Sequence, residues 1–184
     1  MRKVLDALYA VALAIACLAM VAIAVLVLVQ ILGRVLDRAL IFAGATPLGF
    51  SIPSLSDFGG FLFVASATLA LPATLRAGGH VRVSLLLNIG GPVVQRILGI
   101  LVLMVALGLA GFATWHSGLQ VLDSWRFNAV SFGMVQVPLW IPQGVMTLGF
   151  GLLLVAVADE LVTALRGQVT SFQRAEDQRS AGGH

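Results

Sequence analysis

Residues 7–29 read ALYAVALAIACLAMVAIAVLVLV, an uncharged run that decides the class of the fold. A transmembrane helix needs about 20 mostly apolar residues to cross the roughly 30 Å hydrocarbon layer of a bilayer. Arg2 and Lys3 precede the run, as in a secretory signal peptide. However, the run exceeds the about 7–15 residues of a signal peptide's apolar region, and no small-residue cleavage site follows it. The stretch therefore predicts an uncleaved transmembrane helix.

The whole chain has the same apolar character. Of its 184 residues, 59% are hydrophobic and 10% are charged, and the mean hydropathy is +1.02. A soluble domain is roughly half apolar and about one-quarter charged, so a soluble fold, a disordered chain and a fibrous repeat are excluded. The net charge of +3 would suggest a nucleic-acid partner in a soluble protein. In a membrane protein it indicates basic cytoplasmic loops instead, and no nucleic-acid partner is expected.

The gaps between charged residues define four membrane spans. No alternating barrel pattern is present, so we predict an all-α integral membrane protein with four transmembrane helices. The predicted spans are about 7–31, 56–75, 97–122 and 138–162. They form a four-helix membrane domain over residues 1–166, and residues 167–184 form a polar cytoplasmic tail. Between helices 2 and 3, the stretch 83–95 is too short to span and predicts a short amphipathic segment in the interface.

The distribution of Arg and Lys predicts the orientation. Cytoplasmic loops carry the excess of these residues. Eight lie on one side, namely Arg2, Lys3, Arg76, Arg82, Arg96, Arg166, Arg174 and Arg179, and three lie on the other, namely Arg34, Arg38 and Arg126. Both termini are therefore expected in the cytoplasm. Trp115 near the end of span three, Trp125 in the following loop and Trp140 at the start of span four would mark the outer interface.

The outer loop between spans one and two carries signals of helix ends. The spacing of Arg34, Asp37 and Arg38 predicts that the first helix extends beyond the bilayer as a charged turn. Ser54 and Asp57 before an apolar run predict a capping box that opens the second helix. Asp57 would then have a structural role at a helix N-terminus, with a contact to a partner protein as the alternative.

Few residues could carry chemistry inside the membrane. His116 is the one ionisable residue within a span, either as a neutral imidazole bonded to a neighbouring helix or to water, or as a proton relay or ligand. Asp159 and Glu160 close span four, where they would reach water or a basic partner. Cys17 is the single cysteine, and a haem with two axial ligands would need a partner for His116, which stands alone within the spans. Sequence motifs of serine hydrolases, zinc proteases and phosphate-binding loops are missing. We expect no catalytic, cofactor or metal site, and interpret the chain as one part of a larger assembly.

Three motifs resemble those of a known transporter family. The first motif is LRAGGHVRV at residues 75–83, which contains Arg76, Gly79, His80 and Arg82. The second is VPLWIP at residues 137–142, which contains Pro138, Trp140 and Pro142. The third is QILGR at residues 30–34. These resemble the small permease (DctQ-like) subunit of the tripartite ATP-independent periplasmic (TRAP) transporters. The chain departs from the family pattern at Ser84, where an acidic residue is usual, and at Pro72 late in span two.

The resemblance implies a small subunit in a bacterial inner membrane. Such a subunit acts as a scaffold for the large permease, in a secondary transporter that imports small organic anions such as carboxylates or acidic sugars, driven by sodium or protons. The implied partners are the large permease, a periplasmic substrate-binding protein and membrane lipids. By the same resemblance, Arg76, Gly79, His80 and Arg82 form an inner loop that contacts lipid phosphates and neighbouring helix ends, whereas Asp57, Pro138, Trp140 and Pro142 lie at span starts or a partner interface.

The residues leave further alternatives open. The chain could be a self-sufficient small transporter or channel that works as a homo-oligomer, or a membrane enzyme that uses His116. Small residues let helices approach closely, either within the four-helix unit or against a partner. The candidates for such contacts are Gly108, Gly111, Gly144, Gly149 and Gly151.

Overall fold

Four long helices make up the described structure, a computed structural model that describes residues 2–77 and 91–167. These helices are α1 (Arg2–Phe42), α2 (Leu55–Arg76), α3 (Gly91–Arg126) and α4 (Trp140–Leu165). Each is long and apolar enough to cross a membrane. The described ranges contain no strand, and their single β-bridge pairs Val130 with Pro138. The prediction of an all-α protein with four transmembrane helices is confirmed.

The helices are longer than the predicted spans. α1 has 41 residues, which at 1.5 Å per residue gives about 60 Å, twice the hydrocarbon thickness. α3 begins at Gly91, so residues 91–95 of the predicted interfacial segment are helical and continuous with span three. Proline is well accommodated in the first turn of a helix, and Pro92 does not interrupt this one. The remainder of that segment, with Gly79, His80 and Arg82, lies outside the described residues, as does the predicted tail beyond Gly167.

The helices pack side by side in the order α1, α2, α4, α3. Extensive contacts join α1 with α2, α2 with α4, and α4 with α3. The core is correspondingly thin and consists of two small clusters. Ala12 and Ala16 of α1 pack on Leu69 of α2, and Leu103 of α3 packs on Val157 of α4. The protein is therefore a row of helices in which α2 and α4 are central and α1 and α3 form the edges.

Among the glycines of the described helices, the closest approach to another helix is at Gly149, where the two central helices meet. A Cβ on Gly149 would lie 2.6 Å from Thr68 Cβ and 2.8 Å from the Thr68 carbonyl oxygen. Pro72 stands four residues after Thr68 and is fully buried. Because proline has no N–H, the Thr68 carbonyl loses its ordinary helical partner, and the α4 backbone passes directly beside it. Gly149 thus packs within the four-helix unit, whereas a Cβ on Gly108 would meet nothing within 4 Å.

Candidate functional site

One end of the row carries a charged cluster centred on Arg76, the last residue of α2. Its guanidinium donates to the Asp6 carboxylate of α1 and lies 3.9 Å from the Asp159 carboxylate of α4. The same group lies over the Tyr9 ring, 5.0 Å from its centroid, in cation–π geometry. The planar fork of arginine can donate to several acceptors at once. We call Asp6, Tyr9, Arg76 and Asp159 the Arg76 cluster; it connects three helices.

Two residues of the cluster, Arg76 and Tyr9, are largely shielded from the surroundings, whereas the Asp6 side chain is 55% exposed. The Arg76 side chain is 20% exposed and Tyr9 only 3%. Glu160, beside Asp159 on α4, is 1% exposed. The sequence predicts that Asp159 and Glu160 reach water or a basic partner. In the structure, the Asp159 carboxylate lies 3.9 Å from the basic Arg76 side chain. Arg76 therefore faces neighbouring helices, with little surface left for lipid.

The edge helix α3 is joined to α4 at this same end. Arg96 donates from its guanidinium to the carbonyl oxygen of Leu165, the last residue of α4, at 3.3 Å. The chain then turns at Gly167, whose φ of +72° is a left-handed conformation that glycine adopts readily. A cation at the C-terminal end of a helix also interacts favourably with its dipole. All four helices are thus joined by basic side chains at the Arg76 end.

The opposite end, where Asp57 lies in the first turn of α2, is organised differently from the predicted capping box. Ser54 precedes α2 with a left-handed φ of 55°, and its side chain makes no capping hydrogen bond. Its hydroxyl oxygen instead accepts from the backbone N–H of Val135 at 2.9 Å. The capping-box prediction was wrong because Val135 is 81 residues away and binds the side chain that a local cap would have used. Asp57 lies against Gly133, at a point where any Cβ would collide with its carboxylate.

Residues 127–139, the α3–α4 loop, are held by their own hydrogen bonds. The Ser131 hydroxyl donates to the Val135 carbonyl and accepts from the Val137 N–H, while the Ser131 N–H donates to the Val137 carbonyl. Phe132 and Met134 at the tip are almost fully exposed. This loop is thus an ordered structure that rests on the start of α2.

The predicted residues Pro138, Trp140 and Pro142 lie where this loop enters α4. Pro138 forms the bridge with Val130, and Pro142 falls in the first turn of the helix, where a missing N–H costs little. Trp140 contacts Trp125 edge to face at 5.0 Å between ring centroids. Trp125 belongs to α3, so its assignment to the loop was wrong. The tryptophan pair joins α3 and α4 at this end.

The outward extension of α1 is covered by the segment that follows it. The Gln30 side-chain oxygen accepts from the Ile52 N–H at 2.8 Å, and the Asp37 carboxylate accepts from the Leu48 N–H at 2.8 Å. Between these contacts the Phe50 ring lies on Gly33. Three polar or close contacts therefore hold the chain folded back along α1.

His116 lies on the exposed side of α3. Its ring packs against Phe112 with centroids 4.2 Å apart, and among the described residues it makes no hydrogen bond. It is separate from both the Arg76 cluster and the Asp57 end. Across residues 2–77 and 91–167, no three His, Cys, Asp or Glu side chains are grouped so as to hold a metal ion.

The structure brings together some predicted residues and adds others. Arg76 is joined by Asp6 and Tyr9, which sequence reasoning did not select. The signal that could have found Asp6 is its position within the first apolar helix, close to the membrane boundary, where a carboxylate needs a cationic partner. Ser54 was selected for the wrong contact, and its partner Val135 carries no sequence signal.

Comparison with protein families gives one match. A family model described as "Tripartite ATP-independent periplasmic transporters, DctQ component" matches residues 23–167, which is more than half of the chain. Comparisons with curated proteins and with solved structures gave no match. The matched range contains Arg76, Asp159 and the α3–α4 loop, whereas Asp6 and Tyr9 precede it.

Proposed function

The chain belongs to the DctQ component family of the tripartite ATP-independent periplasmic transporters, and we propose that it is the scaffold on which the large permease of such a transporter moves its substrate. As a member of that family it is the small component of a TRAP transporter and a multi-pass membrane protein. The family consists of transporter components rather than enzymes. The family match is the observation that carries the proposal.

The arrangement of the helices supports a scaffold role. A fixed support must resist deformation while a partner moves against it. In the described structure the helices are joined at the Arg76 end by Arg76 and Arg96, and at the other end by Ser54 and the tryptophan pair. A row of helices also presents broad apolar sides, because α1 and α3 each have only one extensive neighbour among the described helices. One such side suits a large membrane partner.

The family supports proposals for the substrate class and the remaining partners. We propose that the transporter imports small organic anions, carboxylates or acidic sugars, captured by a periplasmic binding protein and driven by a sodium or proton gradient. In this proposal the chain lies in a bacterial inner membrane, and the Arg76 end faces the cytoplasm because most Arg and Lys residues lie there. Gly79, His80 and Arg82 would form the inner loop that follows Arg76, the last residue of α2.

Deletion and co-purification test the proposal. Cells lacking this chain should lose uptake of the organic anion, while the purified binding protein still binds it. Purification of the chain in mild detergent should bring down a large permease in equal amount. Undiminished uptake in the deletion strain would overturn the scaffold role. Gradient-driven flux through the purified chain alone, reconstituted in vesicles, would favour the homo-oligomeric transporter instead.

A further inference from the structure

Two arginines on the outward extension of α1 have no acidic partner among the described residues. Arg34 and Arg38 are four residues apart, so their side chains share one face of the helix. With Ile31, Val35 and Asp37 they line a shallow hollow of about 320 Å³. The structure contains ion pairs from Arg76 to Asp6 and Asp159, but no carboxylate in the described ranges lies within 4.0 Å of Arg34 or Arg38. We call these two residues the arginine pair.

The acidic residue that borders the hollow is already engaged. Asp37 borders the hollow, and its Oδ1 accepts from the backbone N–H groups of Leu48 and Gly49, at 2.8 and 3.3 Å. Two guanidinium charges therefore face one carboxylate that is bonded elsewhere. The hollow retains a net positive charge and several free N–H donors.

The backbone beneath the arginine pair is held in place. Ile52 donates to Gln30 below the pair, and Phe50 packs on Gly33 between these contacts. Together with the Asp37 contacts, they hold residues 48–52 against α1 over the same turns that carry Arg34 and Arg38. The site is thus presented on a supported helix.

The position of the arginine pair along α1 matches the depth of lipid headgroups. Arg34 lies 15 residues beyond Ala19, the middle of the predicted span 7–31, which at 1.5 Å per residue is about 22 Å from the bilayer centre. A bilayer with its headgroups is about 40–45 Å thick, so the headgroups extend to about the same distance. Helical side chains lean toward the helix N-terminus, which here is toward the membrane, so the Arg38 guanidinium also reaches back toward that layer.

We propose that the arginine pair binds a phosphate group at the membrane surface, with an anionic phospholipid as the fitting source. Guanidinium groups donate paired hydrogen bonds to phosphate oxygens. The exposed side chains of Ile31, one turn closer to the membrane than Arg34, and Val35, one turn closer than Arg38, supply an apolar path for the lipid chain. The phosphate would hold the outward end of α1 at a fixed depth.

Lipid titration of the purified full-length chain, followed by native mass spectrometry, tests this site. Phosphatidylglycerol is the probe, diacylglycerol is the matched lipid without phosphate, and inorganic phosphate is the soluble competitor. The variants are R34Q/R38Q, the charge-preserving R34K/R38K, and R126Q as a control. Arg126 is also an exposed arginine and ends α3 near the same membrane surface.

The expected result is that R34Q/R38Q selectively loses binding of phosphatidylglycerol. Each basic side chain near an anionic surface contributes about a fivefold gain in affinity, so R34Q/R38Q should bind roughly 30-fold more weakly. R34K/R38K should lose less, and R126Q should match the unmodified chain. Unchanged circular dichroism of each variant checks that it is folded. Displacement by inorganic phosphate would assign the site to a soluble phosphate, and failure to displace would assign it to the lipid headgroup.

Three outcomes would overturn the proposal. The first is equal binding of phosphatidylglycerol and diacylglycerol to the unmodified chain. The second is an equal loss of affinity in R126Q and R34Q/R38Q, since that would be a general charge effect. The third is an R34Q/R38Q variant that keeps its lipid affinity but no longer co-purifies a large membrane protein, which would make the arginine pair a protein contact.

Discussion

At the scale of single residues, Arg76 makes several contacts that lysine could not reproduce together. It ends α2, donates to Asp6 on α1, approaches Asp159 on α4 and covers the Tyr9 ring. A guanidinium offers five N–H donors and a flat face in one rigid group, whereas an ammonium is a compact point charge. The sequence singles out Arg76 by its motif but does not identify Asp6, because that contact joins residues 70 positions apart.

We predict that R76Q lowers the free energy of unfolding by about 1–3 kcal/mol. Removing one partner of a buried ion pair costs about 3–5 kcal/mol, and the cost is smaller here because the Asp6 side chain is 55% exposed. Thermal or denaturant unfolding in detergent measures the change. R166Q is the matched control, since Arg166 is exposed at the same end and makes no side-chain ion pair in the described structure. Equal stability of R76Q and R166Q would contradict the prediction.

At the scale of helices, the contact between α2 and α4 depends on a proline and a glycine that act together. Pro72 removes the hydrogen bond that would occupy the Thr68 carbonyl, and Gly149 allows the α4 backbone to approach that oxygen. Glycine carries a hydrogen where other residues carry Cβ, and this hydrogen of Gly149 points toward the Thr68 carbonyl oxygen, in the direction of a weak Cα–H···O contact. Pro72, unexpected from the family pattern, thus lies beside the close helix contact at Gly149.

We predict that G149A destabilises the protein by about 1–3 kcal/mol, because overpacking forces the two backbones apart. The atoms that the new methyl group would meet include backbone atoms of Thr68, which cannot rotate away. The control G108A adds the same methyl group at an open position and should change stability by less than about 0.5 kcal/mol. Unfolding midpoints of the two variants, measured side by side, provide the comparison. A G149A protein as stable as G108A would show that the contact is not tight.

We predict that S54A loosens the α3–α4 loop without shortening α2. The lost hydrogen bond to Val135 contributes about 0.5–1.5 kcal/mol, and α2 does not use the Ser54 hydroxyl as a cap. Hydrogen exchange at the Val135 amide should therefore accelerate, while exchange within α2 stays the same. S56A replaces an exposed serine two residues along and serves as the control. Faster hydrogen exchange in the first turn of α2 of S54A would contradict this prediction and support the capping box instead.

The boundaries of the helices were less predictable than their existence. A span is recognised from a local run of apolar residues, so all four were found. Hydropathy does not report where a helix continues beyond its span. The spacing of Arg34, Asp37 and Arg38 did indicate the extension of α1, which reaches Phe42, whereas no such signal marked the start of α3 at Gly91. Long-range contacts such as Ser54 with Val135 carry no local pattern at all.

At the scale of the molecule, the position of each helix in the row is reflected in how apolar its sequence is. The two edge helices, α1 and α3, contain the most apolar windows, whereas the central helices α2 and α4 are less apolar. Of the residues in these 18-residue segments, 17% are buried in α1 and 11% in α3, compared with 22% in each central helix. A helix with lipid or partner on most sides needs more apolar side chains than one flanked by two helices of its own chain. This difference could have predicted the order of the row.

We predict that both ends of the chain lie on the cytoplasmic side, because most Arg and Lys residues lie at the Arg76 end. A reporter that fluoresces only in the cytoplasm should be active when fused after residue 184. A phosphatase that is active only outside should work when inserted between residues 43 and 46, in the loop after α1. The reverse pattern of activities would invert the topology and place the Arg76 cluster at the outer surface.

The spatial order also bears on how the protein is made. A ribosome delivers the helices as α1, α2, α3, α4, but they lie as α1, α2, α4, α3. The least apolar helix, α2, follows directly after α1, the neighbour that can retain it in the bilayer. α3 enters before the helix against which it packs has been synthesised, so it must partition into lipid by its own apolar character. α4 then inserts between α2 and α3, which are already in place, and the row closes only after α4 has been synthesised.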